Sequence, residues 1–431
     1  MLRTVFIITV LLMASVLAGA QAGPASHSTA ANRPQFAAEQ DATNLLTLGL
    51  GFSTSYDDNA FNGLQNPITQ TLLTVNPRIG WKMSRHRWNW ALDYADAEGR
   101  SASGNYYNRS SHSARMDLSY QATRTLTLSV RNSFVRSNDP FYDPRSSFAS
   151  GFGLADQPNP SWFGVNQRTT EQVGANIDYQ LSARTSAGVG GSFAMRYFDL
   201  VAGAPNSPLR DFNTVGGDAF VQHQFSPRNT AGISYDFRKL TSPGGLSTVS
   251  HRPSLYENIA LGTKNTLSLF AGPQYSTTYL PASFGFTGNP IQLEGWSWSA
   301  GASYSWSGAR TGFTAGFVHQ TTDSAGFAGP VQLTGLNFGL QKQLARKWTL
   351  NLNGGWYLND RLAKNSSLPA SRKFGSADAS LNWAVRNDLA VVFKYARHEQ
   401  TAIAGVNGFP WIDRDRFTVS VNYTFTRPLG R

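Results

Sequence analysis

From Leu46 to Phe425 the chain alternates apolar residues with polar or small ones, in one segment after another. Along 348–358 the even positions read Trp348, Leu350, Leu352, Gly354, Trp356 and Leu358, and the odd ones Thr349, Asn351, Asn353, Gly355 and Tyr357. Trp296, Trp298, Ala300, Ala302, Tyr304 and Trp306 alternate in the same way with Ser297, Ser299, Gly301, Ser303 and Ser305. Leu389, Val391, Phe393 and Tyr395 repeat the pattern. Successive side chains of a strand point to opposite faces, so this period of two builds a sheet with one apolar face. No segment carries a helical period with caps. The expected fold class is all-β.

A soluble sandwich and a membrane barrel both alternate, and three features separate them. The alternating runs are about 10–14 residues long, whereas globular strands centre on about 5–6 and a tilted membrane strand needs about 9–11. Aromatics cluster at strand ends, where Trp81, Trp88, Tyr120, Tyr179, Phe225, Trp306, Trp348 and Trp383 flank tight turns, as interfacial girdles do. Short and long connections also alternate. The tight turns are 84–87, 122–124, 182–184, 226–229, 263–265, 308–310, 345–347 and 386–388, and each carries a Lys or Arg. Longer stretches rich in Gly, Pro, Asn, Asp and Ser lie between them, at 56–68, 99–108, 138–166, 200–209, 240–250, 280–291, 323–330, 361–370 and 400–412.

Eight short turns join sixteen strands, and one more strand stands at each end. The expectation is a transmembrane antiparallel up-and-down β-barrel of 18 strands, its first strand (Leu46–Tyr56) closing on its last (Arg416–Phe425). Sixteen strands is the alternative. Glu257 falls on the apolar parity of Leu255, Ile259 and Leu261, which predicts a bulge or register change in 250–262.

Residues 1–22 read as a secretory signal peptide, with Arg3, an apolar run from Val5 to Leu17 and Ala20-Gln21-Ala22 as the cleavage site. Residues 23–43 read as a flexible periplasmic segment, and 44–431 as an outer-membrane barrel with both termini periplasmic. The absence of Cys excludes a disulfide scaffold, a thiolate metal site and a lipoprotein anchor. The formal charge of +11 raises nucleic acid as a partner, but only 15% of residues are charged and no long basic cluster occurs. Much of that charge sits in the short turns. The final strand alternates Phe417, Val419, Val421, Tyr423 and Phe425 with Thr418, Ser420, Asn422 and Thr424, and is similar to the C-terminal signal read by the barrel-assembly machinery. Here Arg427 to Arg431 follow the last aromatic.

With the apolar set facing lipid, parity sends a mixed set of charges to the lumen. The basic members are Arg78, Lys82, Arg115, Arg131, Arg196, Arg238, Lys394 and Arg416, and the acidic ones Asp93, Asp117, Asp178, Asp218, Asp236 and Asp378. Charges at membrane depth face water or one another. Two readings follow: ion pairs that fill and stiffen the barrel, or a mixed field that selects solutes by charge with a mild anion preference. The loop 138–166 is the longest, and holds Phe141, Tyr142, Phe148, Phe152, Trp162 and Phe163 among four prolines. It is expected to fold inward as a constriction or to cap the mouth, with a surface flap as the alternative, since loops this long are usually functional or disordered.

The stretch Leu48-Gly49-Leu50-Gly51-Phe52-Ser53-Thr54-Ser55-Tyr56-Asp57-Asp58-Asn59 resembles the opening strand of the β-barrel porin family of the second type. That loose group of Gram-negative outer-membrane barrels includes exopolysaccharide-associated members, and the resemblance implies nothing catalytic. Asp57 and Asp58 read as turn residues facing water, with a divalent cation shared with lipopolysaccharide as the alternative. The seven histidines form no metal-ligand pair at short spacing, no G-x-S-x-G elbow occurs, and no cofactor, metal or enzymatic role is expected. The expected function is passive diffusion of small hydrophilic solutes through an outer-membrane channel. The alternatives are an exopolysaccharide export or capture barrel, for which the interleaved signs are a poor fit, and a structural or adhesive barrel with a plugged lumen. Outer-membrane lipid and lipopolysaccharide complete the expected partners, and the sequence fixes no oligomeric state.

Overall fold

The structure, a computed structural model, describes residues 43–60, 68–102, 108–139, 167–199, 211–281, 290–322, 331–361, 371–403 and 412–429. The first six strands are β1 (Thr43–Asp57), β2 (Gln70–Arg85), β3 (Trp88–Ser101), β4 (Arg109–Gln121), β5 (Leu126–Ser137) and β6 (Gln167–Gln180). Next come β7 (Thr185–Asp199), β8 (Phe212–Ser226), β9 (Asn229–Thr241), β10 (Ser247–Ala260), β11 (Asn265–Leu280) and β12 (Ile291–Ser307). The last six are β13 (Thr311–Thr322), β14 (Val331–Ala345), β15 (Trp348–Arg361), β16 (Ser371–Ala384), β17 (Leu389–Ile403) and β18 (Ile412–Pro428). Among the described residues there is no helix.

Each strand pairs antiparallel with its neighbours in sequence, and β1 pairs with both β2 and β18. The 18-stranded sheet is therefore a closed barrel without free edges. The sixteen-strand alternative falls.

All eight short turns lie at one end, and their repeat has a backbone reason. The carbonyl of the last turn residue accepts an N–H from the end of the next hairpin. Gln121 donates to Arg87 at 2.8 Å, Gln224 to Arg184 at 2.7 Å, Ser307 to Lys264 at 2.8 Å and Ala384 to Lys347 at 2.8 Å. Side chains extend this rim: Arg87 Nη1 reaches the Ala122 carbonyl at 3.1 Å, and Lys347 Nζ that of Val385 at 3.0 Å. His86 takes φ 49°, the left-handed conformation that lets two residues join β2 to β3. At the opposite, long-loop end, the expected long stretch 240–250 is instead the tight turn Ser242–Leu246, with Gly244 and Gly245 at φ 91° and 88°.

The apolar parity faces outward. Leu48, Leu50 and Phe52 lie beside Phe425, Tyr423 and Val421 on one side and Ile79, Pro77 and Val75 on the other. All of these aliphatic and aromatic side chains are exposed. Near the short turns, cross-strand aromatics stack, with Trp88 on Tyr120 at 4.2 Å and Trp348 on Trp383 at 5.4 Å. Such pairs fix register as well as burying area.

The predicted register change in 250–262 does not occur. β9 and β10 pair without a break from Thr241↔Ser247 to Asn229↔Ile259. Glu257 stays on the outward face near the short turns, where Asn229 Nδ2 donates to its Oε1 at 2.8 Å. The irregularity takes another form. The β10–β11 ladder skips from His251↔Tyr275 to Leu255↔Ala271 without changing register. Pro253 has no N–H to offer there, and a Cβ on Gly272 would lie 2.0 Å from its carbonyl oxygen. Register shifts do occur between Gln224 and Ser226 and between Gln343 and Ala345, both beside short turns.

Candidate functional site: the barrel interior

The registers place all fourteen charged residues named from parity on the inward face, but their burial differs from one part of the wall to another. In the half toward the short turns, β2 to β5 carry a charged ladder in contact with water. Arg78 holds Asp93 with two nitrogens, Nε to Oδ1 at 3.0 Å and Nη2 to Oδ2 at 2.6 Å. Asp117 is shared, its Oδ2 taking Arg115 Nε and its Oδ1 taking Arg131 Nε, both at 2.6 Å. The Arg131 side chain is 71% exposed and that of Arg78 43%. Lys82 is exposed on the same face. Across the closure, Asp378 accepts from Asn353 Nδ2 at 3.0 Å, and Lys394 has no ion pair among the described residues.

At mid-height on β7 to β14 the interior is more tightly packed. Asp236 and Arg252 pair at 3.1 Å with both side chains about 95% buried. Arg252 also donates to Gln320 Oε1 and lies 5.8 Å from the Phe270 ring centre. Phe270 belongs to an inward apolar cluster with Val318 and Leu333, flanked by Tyr256 and Tyr357. Its ring occupies the space over Gly301, where an added Cβ would come within 2.1 Å of it. Asp218 stands opposite Asp236, Arg238 follows two residues along β9, and the Arg196 guanidinium lies 4.9 Å from the Phe212 ring centre. Asp178 lies between Thr127 and Gly188 in the wall.

At the long-loop end three arginines surround one carboxylate. Asp57 is 0% exposed and accepts from Arg109 Nη2 at 3.0 Å, Arg414 Nη2 at 2.7 Å and Arg416 Nη2 at 3.0 Å. Arg416 then spans to Asp139, Nη1 to Oδ2 at 2.7 Å and Nη2 to Oδ1 at 2.8 Å. Asp139 is the root of the long connection after β5, so strands β18, β1, β4 and β5 are tied together across the interior. The reading of Asp57 as a turn residue facing water, or as a cation ligand, is corrected here. Register turns it inward opposite Arg416, where guanidinium groups neutralise it. Asp58 lies just past β1, and burial pushes its carboxyl above the ordinary range. The Asp415 N–H, donated to Asp58 at 2.8 Å, works the other way, and the nearby Asp415, Asp57 and Asp413 charges add to the rise.

Sequence reasoning gave Asp57 another role and missed Arg109, Arg414, Arg252 and Asp139. Arg414 shares the parity of Arg416, which was the available signal. The aromatics Phe141, Tyr142, Phe148, Phe152, Trp162 and Phe163 lie outside the described residues, as do residues 1–42. Neither His223 nor His319 is placed for base chemistry in the interior: His223 meets Thr185 Oγ1 at 2.9 Å on the outward face, and His319 stacks on Trp298 at 3.7 Å. Among the described residues, one group has donors for a metal, Asp96, Glu98 and His112 on the outward face.

No protein-family model matches the sequence, and no curated protein matches it either. Solved structures do resemble it at low identity. The outer membrane protein OpdK from Pseudomonas aeruginosa is 11% identical with a TM-score of 0.40, over 89% of this chain and 99% of that one. OccAB4 of Acinetobacter baumannii is 12% identical with a TM-score of 0.43, over 90% and 99%. The FrpB iron transporter from Neisseria meningitidis is 10% identical with a TM-score of 0.42, over 90% and 82%.

Proposed function

We propose that the protein is an outer-membrane channel for passive diffusion of small hydrophilic solutes, with a mild preference for anions. One observation carries the reading: a closed barrel with an apolar outside keeps a water-exposed ladder of charge inside. A lipid-facing wall explains the exposed Leu48, Leu50, Phe52, Val419 and Val421, which would be a liability on a soluble protein. Charges such as Arg131 then have a reason to face a wet interior. In this setting the stacked aromatics near the short turns sit at one membrane interface.

The sign of the preference follows from the ladder. Arg78, Lys82, Arg115, Arg131 and Lys394 supply five positive charges against Asp93, Asp117 and Asp378. Two of the carboxylates are already neutralised by arginine, while Lys82 and Lys394 have no ion pair among the described residues. A surplus of two fixed positive charges raises local anion concentration modestly. The interleaved signs favour small solutes over a polyanionic chain, which a one-signed bore would suit better. Purified protein in planar bilayers should give discrete conductance steps, with a reversal potential in a KCl gradient on the anion side. Absence of conductance would refute the channel, and a cation-side potential would refute the sign.

A further inference from the structure

Asp96, Glu98 and His112 meet on the outer wall, away from the interior site. Asp96 and Glu98 are two apart on β3 and share its outward parity with the exposed Tyr94, and His112 stands directly opposite Asp96 on β4. One donor atom from each residue lies within 4.8 Å of the other two. His112 Nδ1 is 3.0 Å from Asp96 Oδ1, and Nε2 is 3.7 Å from Glu98 Oε1. Asp96 Oδ1 is shielded from solvent, yet it has no aligned hydrogen bond, so the contact with the ring is close but misdirected. Neither carboxylate makes an ion pair with Lys or Arg among the described residues.

We infer that these three side chains form a binding site for one divalent transition-metal ion, of which zinc is the natural probe. Zinc takes His nitrogen and carboxylate oxygen at about 2.0–2.2 Å, which sets tetrahedral donors roughly 3.3–3.5 Å apart. Modest side-chain rotation brings the three donors to that spacing, with one ring nitrogen as ligand. The imidazole selects against calcium and magnesium, which prefer oxygen throughout. Three protein ligands leave a fourth position open to the outside.

The height of the cluster gives the metal a purpose. Asp96 and Glu98 are eight and ten residues along β3 from Trp88. At ~3.4 Å per residue and a tilt of ~40° they stand roughly 20–26 Å above the Trp88–Tyr120 stack, the height of the apolar band itself. Two carboxylates facing outward there are poorly solvated and repel each other, and a dication removes both costs. The site depends on the fold alone. Only its place beside the outer-leaflet headgroups rests on the channel reading.

The test uses the untagged full-length barrel in detergent, stripped with EDTA and titrated with zinc by calorimetry, with metal content measured after desalting. One zinc per chain is expected, undisplaced by millimolar magnesium or calcium. His112→Ala and the near-isosteric pair Asp96→Asn with Glu98→Gln should each weaken binding by about 10-fold or more, since losing a direct ligand exceeds the 10–100-fold cost of outer-shell changes only in degree. Heat-modifiable gel mobility verifies that each variant is folded. No stoichiometric zinc on the wild type, or affinity unchanged in both variants, overturns the proposal. Because the readout needs no conductance, its failure is separable from failure of the channel reading.

Discussion

Replacing Asp57 by Asn tests whether the arginine cage is a dry electrostatic knot or a solvated surface. Asp57 accepts five charge-assisted hydrogen bonds from Arg109, Arg414 and Arg416, four of them at Oδ2. The amide keeps one oxygen and turns an N–H toward a guanidinium, and the cage's balance goes from three arginines against two aspartates to three against one. Removing one partner of a buried ion pair costs about 3–5 kcal/mol, and the remaining oxygen argues for the lower part, about 3–4 kcal/mol. Asn fills the same volume, so no cavity contributes. The assay is equilibrium urea unfolding from lipid vesicles followed by tryptophan fluorescence, in which the midpoint should fall with the slope unchanged. The loss should persist at high salt, because buried pairs are screened little. A loss below about 1 kcal/mol, or one that disappears in salt, would show that water solvates these guanidinium groups and refute the argument.

The other predictions probe different layers. Asp139→Asn should cost less than Asp57→Asn in the same assay, about 1–2 kcal/mol, because its side chain is 19% exposed and its contact with Arg109 is as long as 3.7 Å; an equal or greater loss would shift the weight of the cage to Asp139. Arg131→Glu changes the wet ladder from five cations against three carboxylates to four against four, so the reversal potential in a KCl gradient should move to zero, and an unchanged potential would remove Arg131 from the selecting field. Gly272→Ala should destabilise the barrel by about 1–3 kcal/mol or block folding, since its Cβ meets the Pro253 backbone at 2.0 Å. Gly217→Ala should stay within about 0.5 kcal/mol, its nearest neighbour being 3.8 Å away; similar behaviour of the two variants in unfolding experiments would contradict the close-approach explanation.

Parity and turn spacing made the barrel legible because both are local. A period of two assigns a face to each residue, and a rim of repeated turns counts the strands. The interior charges from Arg78 to Arg416 were reachable by the same rule. What lay beyond it was everything that depends on register and on contacts between strands distant in sequence. Asp57 and Arg109 sit on β1 and β4 and meet across the interior, which no spacing along the chain encodes. Glu257 on an apolar parity suggests slipped register across 250–262 and so blurs the face of Arg252, whereas the unbroken β9–β10 ladder carries Glu257 outward, where Asn229 donates to it. Asp96 and His112 come together only through the β3–β4 ladder, so a search for ligand spacing along the sequence passes over them.

Burial also divides the work among chemically identical pairs. Arg78–Asp93 and Arg115–Asp117–Arg131 are open to water, where an ion pair contributes about 0–1 kcal/mol to stability, so their consequence lies in the field they present to a passing solute. Asp236–Arg252 and the Asp57 cage are buried, where the same groups cannot exchange with solvent and a missing partner is costly. Substitutions in the first set should therefore alter selectivity with little effect on unfolding, and substitutions in the second should do the reverse. If Arg131→Glu and Asp57→Asn each affected both readouts equally, the division of the interior into a wet half and a tied half would be wrong.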